Sequence, residues 1–517
     1  MGRSQLKAGA FLSYLSLFLG NAISIIYTPI MLRLLGQSEY GLFMLSNSVI
    51  GLLGIINFGL GSTVVRYSSK YRAMNDKKGE YALYGLFFLI SSIVSILVIL
   101  FGSILVFNVE TIFSGALTKE ELNTIKILMY LMVFNLAITF LFSIFNSIIL
   151  VYEKFIFLKV VGLMQTIINP LFMLPLLLMG YKSITMTIVS TILTIITISL
   201  NVLFCFKYIK IKVTFNKFDS SLLKEIAGFS FFIFLNIVVD KIYWSTNQFI
   251  LGIVSGTAAV AVYTIGLTFN TYFMSFSTAV SGLFLPRITE MVTKDTSYKV
   301  LSDFFIRVGR LQYIILSFIL GGFVLIGMDF IKIWAGSRYE SSYFIALVVM
   351  IPLTVPLIQT IGLTILQAKN MHKFRSLVYL AIAILNIIFS IPLAKLWGGL
   401  GCAMAMCVSM IIGHIIIMNI YYKKKINIDI SSFWRNILSM SLPLIISLIL
   451  GGLINIYITE VSIITLLIKG FIYCVIFISL MWFTGMNKSE KDLLIGSLIN
   501  ILNKFINNKV KIVNSER

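Results

Sequence analysis

The feature that most constrains this chain is a succession of apolar runs, each about twenty residues long. A helix of about twenty apolar residues crosses the hydrocarbon core of a bilayer. The runs predict an all-α integral membrane protein with about 14 transmembrane helices. We number them spans 1 to 14, at residues 11–33, 40–63, 82–107, 124–151, 159–180, 183–206, 228–252, 257–285, 308–330, 342–366, 376–394, 398–421, 437–458 and 461–483.

Composition supports this class. The 517 residues are 59% hydrophobic and 12% charged, whereas soluble domains carry roughly 25% charged residues. The short segments between spans leave no room for a soluble catalytic domain. No GxxxxGK[ST], HExxH or GxSxG motif occurs, so we expect a protein that is not an enzyme and has no nucleotide site. Two histidines, and four cysteines without CxxC spacing, predict no metal and no cofactor: Cys205, Cys402, Cys407 and Cys474.

Positive charge is distributed unevenly between the two sides of the predicted bundle. When both termini are placed on one side, that side holds 32 of the 41 Lys and Arg residues, and the opposite side holds seven. Lys241 and Lys469 lie within spans. Basic segments favour the cytoplasmic side, so we expect a multi-pass protein of the cytoplasmic membrane with both termini cytoplasmic. The net charge of +21 indicates contact with anionic inner-leaflet lipid, and no basic tract carries the interleaved aromatics that favour nucleic acid.

The C-terminal segment, residues 485–517, has a pattern of its own. Apolar residues recur there at helical spacing among lysines, which predicts an amphipathic helix on the inner membrane surface. Docking of this segment on the protein's own loops is the alternative. The apolar residues are Leu494, Leu498, Ile501 and Phe505.

Span 7 contains an unusual set of polar residues, in the stretch VVDKIYWSTNQFILG at 238–252. An ionisable group deep in a membrane is costly unless it faces a partner or water, and Asp240 is predicted to lie near mid-bilayer. Asp240 and Lys241 are adjacent on the helix and so do not face each other. The polar side chains share roughly one half of the helix at 100° per residue, which favours a water-filled cavity.

Three other spans carry polar stripes. Thr264, Thr268 and Thr271 continue to Ser275 and Thr278 on span 8. Such stripes also act as contacts between helices, and that alternative stays open. We expect a central cavity lined by spans 1, 2, 7 and 8, where Tyr243 and Trp244 stack on sugar rings, Lys241 and Arg66 meet a phosphate, and Asp240 is the candidate for ion coupling. The candidate cavity residues are Asn21, Asn47, Arg66, Asp240, Lys241, Tyr243, Trp244, Asn247, Gln248, Thr268 and Asn270.

Two segments of the chain echo each other. Residues 34–71 and 253–291 each start with a glycine turn, continue into a glycine-bearing span, and end in a basic residue, Arg66 or Arg287. Both run from outside to inside. Repeats in the same direction imply a pseudo-two-fold axis along the membrane normal, with a binding site between the lobes.

The residues of the first repeat resemble a known family. LGQSEYG at 35–41, followed by GLGSTVVRYSSKY at 59–71, is similar to the opening of Wzx-type polysaccharide flippases of the MOP exporter superfamily, which also holds MATE exporters and MurJ. The resemblance implies two six-helix lobes, at 1–210 and 211–425, with two additional helices at 426–484. Many relatives carry an acidic–basic pair just before the LG that closes span 7, where this chain has Asn247 and Gln248.

The resemblance also implies a function. The chain would flip undecaprenyl-pyrophosphate-linked oligosaccharide across the cytoplasmic membrane by alternating access, with a polysaccharide polymerase and glycosyltransferases as partners. A MATE-like, cation-coupled exporter of small molecules is the alternative. A membrane-embedded enzyme acting on glycans is disfavoured, because no large outside loop exists to hold a polymerase site and His414 has no acidic partner nearby in sequence.

Overall fold

Helices account for nearly all of the described chain, and no strand occurs in it, which confirms the all-α class. The structure is a computed structural model that describes residues 2–215, 220–294, 296–369, 371–493 and 495–496. The α-helices are α1 (Gly2–Leu35), α2 (Gln37–Leu53), α3 (Leu60–Ala73), α4 (Lys77–Phe107), α5 (Val109–Phe113), α6 (Lys119–Val151), α7 (Phe155–Leu178), α8 (Ser183–Leu203), α9 (Ser220–Val254), α10 (Gly256–Thr293), α11 (Tyr298–Trp334), α12 (Ser341–Ile358), α13 (Thr360–Ala368), α14 (His372–Met410), α15 (Met418–Lys425), α16 (Ile430–Tyr457) and α17 (Ile463–Leu480).

The helices follow the predicted plan of fourteen spans. Twelve segments of the described residues are long and apolar enough to cross a membrane. One of them, Phe374–Lys425, is broken at Trp397 and Gly398 and therefore contains spans 11 and 12. The 38-residue helix α10 contains the whole of predicted span 8. The predicted C-terminal amphipathic helix lies outside the described residues, except for its first few positions.

The tight connection between spans 11 and 12 depends on glycine. Gly398 has φ 54° and ψ −128°, a left-handed conformation that residues with a Cβ rarely adopt. At Gly401, three residues later, a Cβ would overlap the carbonyl oxygen of Leu393. The glycines of GGLGC therefore allow the chain to reverse direction between spans 11 and 12 without a longer loop.

The two repeated segments begin in the same way. Gly36 precedes α2 with φ 79°, and Gly256 opens α10 with φ 77°. Each glycine turns the chain sharply into a helix that starts at the outer side of the predicted bundle. The internal repeat is therefore visible in the backbone as well as in the sequence.

The chain divides into two compact units. The first lies within Met1–Tyr272, Trp334–Val349 and Lys373–Gly413. In it α4, α6 and α8 pack side by side, α1 lies along α7, and α2 contacts both α6 and α9. All the site residues predicted from the sequence belong to this unit.

The second unit lies within Phe273–Ile333, Met350–His372 and His414–Arg517. Helices α16 and α17 pack together in it, and the ring of Phe305 packs against Tyr422 and Phe433. Two ion pairs lie in its interior. Arg310 meets Glu490, and Lys469 meets Asp329.

Candidate functional site

Span 2 is broken halfway along its length. Helix α2 ends at Leu53, a 3-10 turn covers Gly54–Asn57, and α3 begins at Leu60. Phe58 and Gly59 between them have left-handed backbone, with φ 48° and 68°, which interrupts the α-helical hydrogen-bond ladder. The Oδ1 atom of Asn57 is buried there with no hydrogen-bond partner. Broken helices at membrane depth are tolerated where they adjoin protein or a water-filled cavity.

Helix α9, which is span 7, runs beside this break. Ile233 fills the space that a Cβ on Gly59 would need. About two turns further along α9, the side chain of Lys241 lies over Gly54, with Cε 3.3 Å and Nζ 3.8 Å from the position that a Cβ there would take. The ammonium group of Lys241 therefore lies at the start of the interruption in span 2.

Asp240 occupies a different face of α9 and is exposed. Its charged neighbours are Lys241 and Arg375, both close enough to stabilise its carboxylate. Fourteen residues separate Asp240 from the end of α9 at Val254, a helical rise of about 21 Å. Residue 240 is also the midpoint of span 7 at 228–252, and its depth in the membrane stays a prediction.

The sequence did not single out Arg375, and the structure brings it to the site. It lies in the first turn of α14, in a segment interpreted as part of a cytoplasmic basic loop. Its guanidinium carbon stands 4.6 Å from the ring centre of Tyr379, and its Nε is buried without a hydrogen-bond partner. Beside it, Ser376 donates to Asn236 on α9 at 3.3 Å. We call Asp240, Lys241 and Arg375, whose charges act on one another, the charged cluster, and their formal charges sum to +1.

Asn247 serves a buried polar network among α9, α10 and α14. It is 1% exposed, and its amide donates to the Tyr263 hydroxyl at 2.9 Å. Its Oδ1 accepts from Asn386 at 3.2 Å and from Ser390 at 2.8 Å. With every polar atom paired inside protein, this network joins the helices and has no open side.

The polar and aromatic residues beside Asn247 on α9 lie in different environments. Tyr243 is buried on the same face, and its ring meets the half-buried Trp244 edge-on at 5.2 Å. Gln248 donates to Thr264 on α10 at 3.1 Å. The polar residues of α9 therefore do not line one cavity. Lys241 faces the break in span 2, Asn247 lies in a buried network, Gln248 contacts α10, and Asp240 is the exposed member.

The predicted hydroxyl stripe of span 8 bonds mostly to its own helix. Thr264, Thr268 and Thr271 each donate to the carbonyl four residues earlier. Asn270 is fully buried and donates to the Gly266 carbonyl, while its Oδ1 has no hydrogen-bond partner. The link from α10 to α1 comes from another residue, Tyr272, which donates to Ser24 at 2.8 Å.

The remaining candidates lie on α1, α2 and α3. Asn21 is half-buried on α1. Arg66 is exposed, with its guanidinium carbon 4.1 Å from the ring centre of Phe229 on α9. Asn47 is exposed and lines a cavity of about 310 Å³ among α2, α6 and α8. Polar side chains make up half of the cavity wall: Asn47, Asn135, Thr187, Ser190 and Thr194.

Known proteins resemble this chain at the level of sequence. A family described as "Polysaccharide biosynthesis protein" matches residues 6–292. A Salmonella typhi protein described as "Putative O-antigen transporter" is 27% identical over 348 residues, covering 63% of this chain and 72% of that protein.

Solved structures share the fold. One is described as lipid II flippase MurJ in an inward closed conformation. It superposes with a TM-score of 0.70 at 17% identity and covers 95% of this chain and 99% of that one. An inward-facing MATE multidrug resistance transporter of the MOP superfamily gives a TM-score of 0.66 at 12% identity, covering 81% and 95% of the two chains. The Wzx-type resemblance read from residues 34–71 is confirmed: this chain is a multi-pass membrane protein that belongs to the polysaccharide biosynthesis protein family and has the fold of MurJ and the MATE transporters.

Proposed function

We propose that this protein flips undecaprenyl-pyrophosphate-linked oligosaccharide from the inner to the outer leaflet of the cytoplasmic membrane. The observation that carries the proposal is the match of residues 6–292 to the polysaccharide biosynthesis protein family, and Asp240, Lys241 and Arg375 are the charged residues that would meet the substrate. A net positive charge inside the membrane attracts an anionic group. Every such substrate carries an anionic pyrophosphate between its lipid and its glycan.

The cluster suits a binding site on the translocation path. Asp240 is predicted to lie near mid-bilayer, where a pyrophosphate drawn from the cytoplasmic leaflet would be held on its way across. Arg375 has a buried, unpaired Nε and a planar guanidinium that matches phosphate geometry. Asp240 partly offsets the charge of the two cations before the substrate binds. The lipid tail stays in the bilayer while the glycan follows a polar path.

Movement between the two openings would use the lobes at 1–210 and 211–425. The repeats at 34–71 and 253–291 run in the same direction, which is the arrangement that lets two lobes rock about a shared site. Coupling to a cation at Asp240 belongs to the same proposal, since an exposed carboxylate can exchange one bound cation for another. Both termini would lie in the cytoplasm.

The proposal is tested in a strain that lacks the chromosomal copy. We expect that strain to lose surface polysaccharide and to accumulate lipid-linked oligosaccharide on the inner leaflet, and the intact chain to reverse both effects. Arg375→Ala should lower the flipping rate at limiting substrate about ten-fold, because a hydrogen bond to a charged group contributes about 1.5–3 kcal/mol.

Lys395→Ala is the matched control, because Lys395 is an exposed cation of α14 about 20 residues after Arg375, just before the break at Trp397, and should leave the rate unchanged. Normal surface polysaccharide in the deletion strain, at matched growth, would reject the proposal. A MATE-like exporter, which the shared fold allows, would instead protect an efflux-deficient host from toxic cations.

A further inference from the structure

Residues at the outer end of span 2 form hydrogen bonds to other parts of the first unit or are buried in it. We call residues 37–41, the QSEYG of the family-like motif, the outer segment. Gln37 donates to the Arg338 carbonyl at 3.2 Å. Glu39 accepts from the Ser183 hydroxyl at 2.5 Å and from its backbone N–H at 3.3 Å. Tyr40 is 2% exposed. The regions around Arg338 and Ser183, both in the first unit, therefore meet this one short segment.

The centre of these contacts is a carboxylate shared by two hydroxyl groups. Ser38 and Thr257 both donate to Oε1 of Glu121, at 2.5 and 2.8 Å, and their own oxygens lie 3.2 Å apart. The other oxygen of Glu121 accepts from the Thr118 backbone N–H at 2.9 Å, in the capping box that starts α6. The carboxylate is thus fixed by its own helix and joins α2 to α10.

Backbone also meets backbone at this point. A Cβ on Gly41 would overlap the carbonyl oxygen of Thr257, so only glycine allows α2 and α10 to approach this closely. Thr257 follows Gly256, the residue that opens the second repeat. The contact therefore joins the start of one repeat to the start of the other, at the outer end of both.

These bonds are suited to repeated opening. Ser38 is exposed and Glu121 is half-buried, so water can replace the hydroxyl–carboxylate bonds when the helices part. Bonds of this kind hold the contact closed without making it permanent, because opening exchanges them for bonds to water. A seam of large apolar side chains would resist opening far more strongly.

We propose that the outer segment, with Thr257 and Glu121, is a latch that closes the outer end of the translocation path and opens once in each transport cycle. This proposal rests on the proposed flipping function and adds to it the residues that hold the outer side shut. It also gives a role to the QSEYG motif, which neither the charged cluster nor the broken span requires.

A reversible cross-link tests the latch. In a chain whose four cysteines are replaced, the pair Ser38→Cys and Thr257→Cys should form a disulfide on oxidation, because the native side-chain oxygens are 3.2 Å apart. We expect oxidation to abolish flipping and a reductant to restore it. The matched control is the pair Ser462→Cys and Thr465→Cys, whose oxygens are also 3.2 Å apart but belong to one helix cap. Oxidation of that pair should leave flipping unchanged.

A second measurement does not depend on the substrate. Gly41→Ala should hold α2 and α10 apart, so that a cysteine at position 48, a buried residue about two turns below Gly41 on the same face of α2, reacts faster with a membrane-impermeant thiol reagent added outside. Gly115→Ala is its control, because a Cβ there meets no atom within 4 Å. Unchanged labelling in Gly41→Ala, or full flipping by the oxidised Ser38–Thr257 pair, would overturn the latch.

The two proposals fail in different ways. If the deletion strain keeps its surface polysaccharide, the flipping function is rejected, yet the labelling experiment still reports whether residues 37–41 close the outer side. If flipping is confirmed and labelling in Gly41→Ala equals that in Gly115→Ala, the latch alone is rejected.

Discussion

Charged side chains within the spans find opposite charges far along the chain. Lys469 has no acidic neighbour on its own helix, and its Nζ lies 2.8 Å from Asp329 on α11. Its side chain is 5% exposed and that of Asp329 is 21% exposed. Asp240 likewise has Arg375 as a neighbour, 135 positions later. Each charge is kept in the membrane by a partner that sequence proximity does not reveal.

The Lys469–Asp329 pair gives a prediction for stability. Lys469→Met should lower the free energy of unfolding by about 3 kcal/mol, because it leaves a partly buried carboxylate without its partner. Urea unfolding of the purified protein in detergent measures this change.

The double variant Lys469→Met with Asp329→Asn is the control for that loss. It should recover much of the stability, since no uncompensated charge remains. Equal losses in the single and double variants would show that packing of the lysine chain, and not its charge, stabilises α17.

At the scale of elements, the break in span 2 determines where α9 can lie. The left-handed residues Phe58 and Gly59 redirect the chain between α2 and α3, and the side chain of Ile233 occupies the space this opens. Lys241 then falls over Gly54. The geometry of the charged cluster therefore depends on the broken helix as much as on the charged residues.

The break also yields a prediction. Gly59→Ala should destabilise the protein by about 1–2 kcal/mol from left-handed backbone alone, with a further loss from overlap with Ile233. In an Ile233→Ala background the same change should cost less, because only the backbone part remains. Thermal or urea unfolding of the four proteins of this cycle separates the two parts.

A glycine elsewhere supplies the comparison for that cycle. Gly162 lies within α7, and a Cβ there meets no atom within 4 Å. Gly162→Ala should be neutral or slightly stabilising, since alanine favours helix over glycine. If Gly59→Ala proved as stable as Gly162→Ala, span 2 would not need its break.

Apolar periodicity and turn residues allowed the helices to be predicted from the sequence. The candidate site was harder to predict, because its residues pair with partners that lie far along the chain. The lengths of the apolar runs predicted about fourteen spans, and glycines predicted the turns at Gly36 and Gly256. The faces of α9 were harder to assign. Asn247 shares a helical half with Asp240, yet its partners Asn386 and Ser390 lie about 140 residues away, and only the packing of α14 decides which polar residue is enclosed.

At the scale of the whole molecule, a residue close to the end of the described chain, Glu490, forms a buried ion pair with Arg310. Arg310 on α11 is 6% exposed and Glu490 is 1% exposed, and they form two parallel bonds of 2.6 and 2.9 Å. Arg310 also donates to the Gly485 carbonyl at 3.0 Å and to Asn436 at 3.1 Å. The described part of the segment after the last span thus docks on the second unit, as in the alternative to a membrane-surface helix given for residues 485–517.

This arrangement predicts a sharp boundary for tolerated truncation. A chain that stops after Gly496 keeps Glu490 and should retain the stability of the full chain. A chain that stops after Asn487 leaves the Arg310 guanidinium buried and without its carboxylate, and loss of one partner of a buried pair costs about 3–5 kcal/mol. Glu490→Gln in the full-length chain should reproduce most of that loss, because it removes the charge and keeps the segment. Monodispersity and unfolding midpoint in detergent distinguish these chains, and equal stability of the two truncations would show that Arg310 finds another partner.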